Sequence, residues 1–284
     1  MMQSNNNNAN RPSTTEPLWL SRRIQARLPR FVLSLLCLPV FSSAVVRAQD
    51  FDQTHSMFDS VLKTYVENGQ VNYAGLKRHR RELDRYLSSL AAVQEKTFKT
   101  WPRPDRLAFL VNLYNGATLK LIVDHYPVKS IKDIGGFFRG PWKQRVVILF
   151  GKTITLNTLE HEIIRKQFDE PRVHAALVCA AQGCPPLRPE AYVGARLEAQ
   201  LAEQMRTFLA DSTKNHVDVR SGKIWLSRIF KWYGKDFTKN GKTLLGSLAP
   251  YWPEQAAARL KSRRDWDIAY TDYDWSLNER QVGK

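Results

Sequence analysis

The sequence predicts an α+β fold, a mostly helical single domain that also contains short antiparallel strands and hairpins. Three observations lead to this prediction. Apolar residues recur at helical spacing in several segments after residue 55. Two short apolar stretches, 146–155 and 216–226, each contain a glycine where a hairpin would turn. Finally, no internal repeat and no domain boundary is visible after residue 50 of the 284 residues.

Composition and charge are those of a globular protein with a basic surface. Hydrophobic residues make up 43% and charged residues 25% of the chain, and 43 Lys and Arg against 27 Asp and Glu give a net charge of +16. Basic proteins can bind nucleic acid or anionic lipid. Here basic and acidic residues are mixed, as in residues 77–85, and no long run of one sign occurs. The pattern favours solvated helical faces and predicts no nucleic-acid partner.

The N-terminal region resembles a targeting segment. Residues 1–15 are rich in Asn and Ser and are predicted to be disordered. Four arginines in 22–30, an apolar run over 31–46 and the small residue Ala48 have the layout of a secretory signal peptide. The apolar run contains a proline and is short for a membrane span of roughly 20 residues, so an uncleaved anchor is the weaker alternative. We therefore expect residues 1–48 to be a disordered start plus signal peptide, and 49–284 to be one exported domain, periplasmic or secreted, with no stable transmembrane span after processing.

The first part of this domain is predicted to be helical. Residues 55–68 and 76–91 carry their apolar positions on one face, as amphipathic helices do. A stronger helix over 105–126 begins after Pro104 and ends before Pro127. It is apolar nearly all round, so we expect it to be central and buried.

Two asparagines lie three residues apart on one face of this helix, Asn112 and Asn115. A buried Asn needs hydrogen-bond partners. The pair belongs either to a structural hydrogen-bond network or to a site in which one Asn orients a catalytic group.

A hairpin and a capped helix are predicted next. Residues 146–156 suggest two strands joined by a turn at residues 151–152. Asn157 is a suitable N-cap, and Glu160 follows three residues later, as in a capping box. This helix is expected to run to about Phe168.

The rest of the chain alternates short strands and helices. We predict a buried strand over 173–178, a rigid loop over 180–186, a polar helix over 194–211, a hairpin over 216–226, a helix capped by Ser227, helices over 242–262 and an alternating C-terminal strand within 266–278.

The candidate chemistry centres on Cys179, which follows the predicted buried strand. A thiolate nucleophile needs a lowered pKa and a base held by a third group. His161 is the preferred base, with Glu160 or Asn115 orienting it, and His174 is the alternative. Asn112 or a backbone amide near Ala180 is a candidate oxyanion donor. Glu160 is equally compatible with a purely structural role as the capping-box partner. The neighbouring Glu162 is expected to be a solvated carboxylate.

The same residues are also compatible with roles outside nucleophilic catalysis. Cys179 suits a buried inert thiol or a disulfide to Cys184, which export would permit. The side chains of His161, His174, Cys179 and Cys184 are suitable zinc ligands, but no CxxC pair or HExxH helix occurs, so no metal is predicted. The absence of GxGxxG, P-loop and GxSxG motifs predicts no nucleotide cofactor and no serine nucleophile elbow.

Four motifs in order resemble a known family. They are Ala108-Phe-Leu-Val-Asn112-Leu-Tyr-Asn115, Leu159-Glu160-His161-x-x-x-Arg165, His174-Ala-Ala-Leu-Val-Cys179-Ala-Ala-x-x-Cys184-Pro-Pro-Leu and Asp272-Tyr-Asp-Trp275-Ser-Leu-Asn278. Over residues 55–278 the chain is similar to the domain-of-unknown-function family 547, DUF547, which has no settled activity. Its Glu-His and Cys elements resemble those of papain- or transglutaminase-like thiol enzymes, which implies a related core, although the His precedes the Cys here. Such proteins often have Gly after the Cys, where this chain has Ala180.

Two functions follow as hypotheses. The first is an exported cysteine-dependent hydrolase or acyl transferase acting on an amide or ester. The second is a non-catalytic cell-envelope binding or scaffolding domain in which Cys179 and Cys184 form a structural pair. A free Cys179 with a lowered pKa favours the first, and a stable disulfide favours the second. The sequence specifies neither the substrate, the envelope partner nor the oligomeric state.

Overall fold

The structure is a computed structural model that describes residues 51–136, 140–263 and 265–280. The predicted disordered start and signal peptide, residues 1–48, lie outside the described residues. The described chain begins with four helices, the first two of which flank a small hairpin. They are α1 (Ser56–Tyr65), the hairpin β1 (Val66–Glu67) and β2 (Gln70–Val71), α2 (Tyr73–Arg78), α3 (Arg81–Ala91) and α4 (Glu95–Thr100).

A long helix and a second hairpin follow, and then the segments that form the site. These are α5 (Arg103–His125), β3 (Arg145–Leu149), β4 (Lys152–Thr155), a π-helix (Thr158–Ile164), α6 (Arg165–Gln167), α7 (Val173–Ala176) and α8 (Leu197–Ala210).

The last third of the chain contains three strands and four helices among the described residues. They are β5 (His216–Asp218), β6 (Lys223–Leu226), α9 (Arg228–Trp232), α10 (Gly234–Phe237), α11 (Leu244–Leu248), α12 (Glu254–Lys261) and β7 (Asp267–Tyr270). Single 3₁₀ turns occur at Ile131–Asp133, Pro141–Lys143, Gly194–Arg196, Lys239–Gly241 and Ala249–Tyr251.

The strands form three small sheets. β1 pairs with β2, β3 with β4 and β5 with β6, all antiparallel as predicted, whereas β6 pairs with β7 in parallel. The prediction of antiparallel strands alone is wrong at this pair. The chain between β6 and β7 passes through α9 to α12, and a long helical crossover is what brings two strands into parallel pairing. The mixture of helices and small sheets confirms the α+β class.

Helix α5 is the centre of the larger core. Its residues from Leu107 to Leu119 are buried on every side, as the nearly uniform apolar sequence predicts. Pro102 precedes it and Pro127 follows its end, where proline cannot continue a helix. A second apolar cluster packs α8 against β5, β6 and the helices after them. Among the described residues, no helix is long and apolar enough to cross a membrane.

Two local predictions differ from the structure for identifiable reasons. The segment 76–91 is divided between α2 and α3, with a break at His79 and Arg80. The hairpin of β3 and β4 turns at Phe150 and Gly151, one residue earlier than predicted. Both turn residues have positive φ, 51° and 74°, which is the requirement of a type I′ turn.

Protonation of His55 should make the protein less stable in acid. His55 is 2% exposed, and its Nδ1 lies 2.8 Å from the Tyr86 hydroxyl. Burial lowers the pKa of His55 to about 4, while the charge of Asp52 opposes that shift. The folded state therefore favours the neutral ring. The neutral ring contributes fully to the stability of the fold above pH 6.5. As the pH falls towards 4, the free energy of unfolding decreases by about 3 kcal/mol.

Urea unfolding of the protein and of His55→Asn at pH 7 and pH 4 tests this prediction. Asn tolerates the positive φ of 52° at this position and does not titrate. The parent should lose about 3 kcal/mol more than the variant between the two pH values. His216→Asn, at an exposed histidine, is the control and should follow the parent. If the parent and His55→Asn lost the same free energy of unfolding between pH 7 and pH 4, protonation of His55 would not be the cause.

Candidate functional site

A cavity of about 420 Å³ brings together most of the predicted site residues. Glu160 and His161 reach it from the π-helix, His174 from α7, and Cys179 and Cys184 from the loop after α7. A second, polar groove of about 820 Å³ lies on the other side of this loop, along Gln182 and Gly183, and has no histidine or cysteine in its lining. The predicted histidine and cysteine candidates therefore line the smaller cavity.

The π-helix directs Glu160 inward. Asn157 has helical backbone angles and makes no side-chain cap, so the predicted capping box is wrong. Glu160 instead is 5% exposed and accepts a hydrogen bond from the Tyr114 hydroxyl at 3.0 Å. Tyr233 also hydrogen-bonds to this carboxylate. The pKa of the Tyr233 phenol is raised mainly by burial and secondly by the charge of Glu160. π-Helical turns are often found at functional sites because they redirect side chains in this way.

Arg165 determines the tautomer of His161. The Arg165 Nη1 group lies 2.8 Å from His161 Nδ1. A guanidinium can only donate hydrogen bonds, so Nδ1 must accept, and in the neutral ring the proton is on Nε2. His161 therefore offers a hydrogen-bond donor at Nε2.

His174 is bound through its other ring nitrogen, Nε2. Its partner is Asp236, an acid that was not predicted from the sequence. His174 Nε2 lies 2.8 Å from Asp236 Oδ2, and Arg165 Nε donates to the same oxygen at 2.7 Å. The carboxylate fixes the proton on Nε2 and leaves Nδ1 as the acceptor. Burial lowers the pKa of His174, so the ring is neutral near pH 7. The hydrogen bond from His174, followed by that from Arg165, holds the pKa of Asp236 well below its ordinary value.

His174 lies in a helical turn, because Val173–Ala176 form α7, and the predicted strand over 173–178 is wrong. Short apolar runs do not distinguish a strand from a buried helical turn by their periodicity. Nothing in the sequence spacing could have identified Asp236, which is 62 residues from His174 in the chain.

The two cysteines are in direct contact and are not bonded to each other. Cys179 Sγ lies 2.9 Å from Cys184 Sγ and 2.9 Å from the Tyr273 hydroxyl, and the Cys179 amide donates to Cys184 Sγ at 2.9 Å. Cys179 is half-buried, whereas Cys184 is 3% exposed. Among the described residues, no hydrogen bond joins either sulfur to His161 or His174.

The contact makes the cysteine pair titrate as a unit. Burial opposes ionisation, but hydrogen bonds from the Cys179 thiol and amide lower the pKa of Cys184. The hydrogen bond that Cys179 donates to Cys184, and then burial, raise the pKa of Cys179. The first proton thus leaves the pair more readily than from an isolated thiol, and the second leaves much less readily.

A family comparison covers much of this region. The family model described as protein of unknown function, DUF547, matches residues 98–209. The match confirms the suspected resemblance to DUF547 over these residues, which include the first three of the four sequence motifs. No curated protein and no solved structure matches the chain.

The segment that matches DUF547 supplies the histidines, the cysteines and the carboxylate of the cavity, and the following residues complete the wall. Glu160, His161, His174 and both cysteines lie within the matched residues. Asp236, which orients His174, lies beyond residue 209, as do four aromatic residues of the cavity wall, Trp232, Tyr233, Tyr273 and Trp275. The site is therefore a product of the DUF547 segment and the chain that follows it.

The two asparagines of helix α5, Asn112 and Asn115, bind backbone and do not line the cavity. Asn115 donates to the Ala176 carbonyl and accepts from the Val178 amide, both at 3.0 Å, and so fixes the backbone just before Cys179. Asn112 makes the same two-way contact with the backbone of Tyr192, at 2.7 and 3.0 Å. Neither amide is free to orient His161 or to bind an oxyanion.

The backbone of the residue after the cysteine shows why glycine suits this position in the family. Ala180 has a φ of 57°, in the left-handed region, and is buried. For a residue with a Cβ this conformation costs about 1–2 kcal/mol. The backbone turn after Cys179 is thus retained without glycine.

Within residues 51–136, 140–263 and 265–280, no three His, Cys, Asp or Glu side chains are grouped as metal ligands. His174 Nε2 is committed to Asp236, and the sulfur atoms contact each other.

Proposed function

We propose that the chain is a cysteine-dependent hydrolase or acyl transferase that acts on an amide or ester in the 420 Å³ cavity. The observation that carries the proposal is the position of Cys179. Its half-buried thiol borders a cavity that also contains two differently held histidines and a carboxylate. Nucleophilic catalysis requires this combination of a thiol, a base and an orienting group.

Cys184 is the first acceptor for the proton of Cys179. In the ionised pair the Cys179 thiol donates to the Cys184 thiolate at 2.9 Å, and Tyr273 stabilises the charge. As Cys179 attacks a carbonyl carbon, its proton passes to Cys184 and a tetrahedral intermediate forms. The bond from that carbon to the substrate nitrogen or oxygen then breaks, the departing amine or alcohol takes the proton from Cys184, and an acyl-thioester remains. Water or an amine attacks the thioester and releases the acyl group as an acid or amide, and the proton lost by this nucleophile returns to the cysteine pair.

The two imidazoles take different roles in this proposal. His174 has an unprotonated Nδ1 and a carboxylate, Asp236, on its other nitrogen, which is the arrangement of a general base. His161 has Nε2–H available because Arg165 occupies Nδ1, so it suits the oxyanion of the tetrahedral intermediate. His161 is thus proposed as a donor, in place of the base expected from sequence, and Glu160 as an electrostatic group.

The cellular location belongs to the same proposal. The basic, apolar and small-residue layout of residues 22–48 supports export to the periplasm or the exterior. A substrate of the cell envelope would then meet the cavity of the processed chain.

Alkylation of the reduced protein with iodoacetamide, followed by mass spectrometry of the labelled residue, tests the thiol chemistry. Cys179 should be labelled at pH 7, because the pair loses its first proton below the ordinary pKa of a thiol. In Cys184→Ala no neighbouring thiolate can accept the proton of Cys179 as its sulfur attacks the reagent. Labelling should then be about tenfold slower or more, because this general-base assistance is lost.

Tyr273→Phe is the matched control, since it removes one hydrogen bond to the pair and keeps both thiols. It should slow labelling less than Cys184→Ala does. Labelling only after unfolding, or equal rates in the parent and Cys184→Ala, would exclude an activated Cys179.

One observation favours a second candidate, a non-catalytic envelope binding domain with a structural Cys179–Cys184 pair. The sulfur atoms are only 2.9 Å apart, so oxidation requires little movement. The thiol state of protein recovered from an oxidising compartment distinguishes the two. A disulfide there, together with a loss of stability on reduction, supports the binding domain. Free thiols support the enzyme.

A further inference from the structure

We infer that the cavity contains a subsite for a primary alkylammonium group of the substrate, formed by the exposed face of Trp232 together with Glu160. The inference deepens the proposed function, because in an acyl transfer this group would be the acceptor amine. It requires only binding, so it can be tested separately from catalysis.

The aromatic wall is the first observation. Trp232 is 46% exposed, and its ring centroid lies 4.9 Å from that of Tyr273 and 5.9 Å from that of Trp275. Trp142 packs edge-on against Trp275 at 5.7 Å and extends the wall. Clustered indole and phenol rings present negative faces that attract cations.

A cation of the chain already uses this wall. Lys132 Nζ lies 4.4 Å from the centre of the Trp275 ring. Trp232 is exposed, so its ring remains accessible to a ligand. A ligand ammonium group on Trp232 would extend the arrangement that Lys132 makes with Trp275.

The charge in the cavity is the second observation. Glu160 is buried and accepts hydrogen bonds from two tyrosines, but none of the ion pairs among the described residues includes it. Arg165, the nearby cation, is paired with Asp236 at 2.7 Å. The cavity therefore contains a carboxylate without a cationic partner. A buried charge of this kind favours a cationic ligand.

Other ligand classes match these features less well. A neutral acyl chain would use the apolar wall and leave Glu160 unpaired. An anionic group would be repelled by Glu160 and by the ionised cysteine pair. Lys143 also borders the cavity, but its side chain is exposed and leaves the buried carboxylate unmatched. A primary ammonium satisfies both the rings and the carboxylate, through its charge and its N–H donors.

Binding of pentylamine and of 1-pentanol at pH 7, followed by the tryptophan fluorescence of the full mature chain, tests the subsite. The two probes share the same alkyl chain and differ in charge. The ammonium form should bind about tenfold more tightly than the alcohol. Equal binding of both probes would overturn the inference and leave an apolar subsite.

Two variants locate the effect. Trp232→Leu should abolish most of the preference for the ammonium and retain pentanol binding, while Trp142 and Trp275 continue to report. Glu160→Gln should reduce the preference several-fold. Glu162→Gln is the matched control, because this neighbouring carboxylate is exposed and paired with Lys166. A preference that is unchanged in both Trp232→Leu and Glu160→Gln would place the bound ammonium elsewhere and overturn the inference.

The iodoacetamide experiment separates this inference from the proposed function. Selective ammonium binding to a protein with an unreactive Cys179 would uphold the subsite and exclude the thiol enzyme. A reactive Cys179 without ammonium preference would uphold the enzyme and exclude the subsite.

Discussion

Replacing Asp236 with alanine should destabilise the protein by about 3 kcal/mol at pH 7. The carboxylate accepts from Arg165 Nε at 2.7 Å, Arg165 Nη2 at 3.1 Å and His174 Nε2 at 2.8 Å. The side chain of Asp236 is 13% exposed and that of His174 is 2% exposed, so solvent replaces the lost contacts poorly. Urea unfolding of the parent and Asp236→Ala measures the difference.

The pH dependence of this difference identifies its source. The pKa of Asp236 is lowered in the folded protein by His174 and Arg165. A lowered carboxyl pKa stabilises the fold above the unfolded value, near 3.8, and the stabilisation is lost as the pH falls further. The gap between parent and variant should therefore be largest at neutral pH and shrink below pH 4.

Asp169→Ala is the control for Asp236→Ala. Asp169 is exposed and pairs with Lys239, which also lies 3.9 Å from Asp236. An exposed ion pair contributes at most about 1 kcal/mol. If the two alanine variants were equally stable, the buried network around Asp236 would not stabilise the fold.

Replacing Asn115 with alanine should cost about 2–5 kcal/mol and also alter the reactivity of Cys179. The change removes the partner of two buried backbone groups, the Ala176 carbonyl and the Val178 amide. Each unsatisfied buried group costs about 1–3 kcal/mol. Because Val178 precedes Cys179, release of this backbone should move the thiol away from Cys184.

Asn112→Ala is a matched comparison on the same helix. Its two hydrogen bonds go to the backbone of Tyr192, which does not line the cavity. We expect a similar loss in the free energy of unfolding but an unchanged rate of Cys179 alkylation. If both variants changed the labelling rate equally, Asn115 would have no specific role in placing the cysteine loop.

Local patterns predicted the elements that depend on nearby residues. The long helix, the polar helix α8 and the hairpin of β5 and β6 were confirmed, because a strong apolar period or a turn glycine specifies each of them. The cap at Ser227 was also confirmed, since its side chain accepts from the Ile229 amide. Asn112 and Asn115 were expected to be buried because their helix is apolar nearly all round. Their hydrogen bonds to backbone groups confirm the predicted structural hydrogen-bond network.

The predictions that failed involve competition between local and tertiary contacts. Asn157 and Glu160 have the spacing of a capping box, but Glu160 gains two tyrosine donors by turning into the cavity. The π-helix replaces the predicted α-helix at the same place. Residues 173–176 form a helical turn although their apolar sequence is compatible with a strand. For Glu160 the decisive partners, Tyr114 and Tyr233, lie far away in the sequence.

Composition, short-range periodicity and motif order were enough to predict the α+β class, the DUF547 resemblance and the main candidate side chains. The hydrogen bonds and charges around those side chains depend on their neighbours in the folded chain. Tyr273 and Trp232 reach the cavity, and Asp236 reaches His174, from segments beyond the matched residues. The tautomers of His161 and His174 follow from Arg165 and Asp236, and the shared proton of Cys179 and Cys184 follows from a contact of 2.9 Å. Hydrogen bonds and charges act over a few ångströms of space, and separation along the chain does not specify that distance.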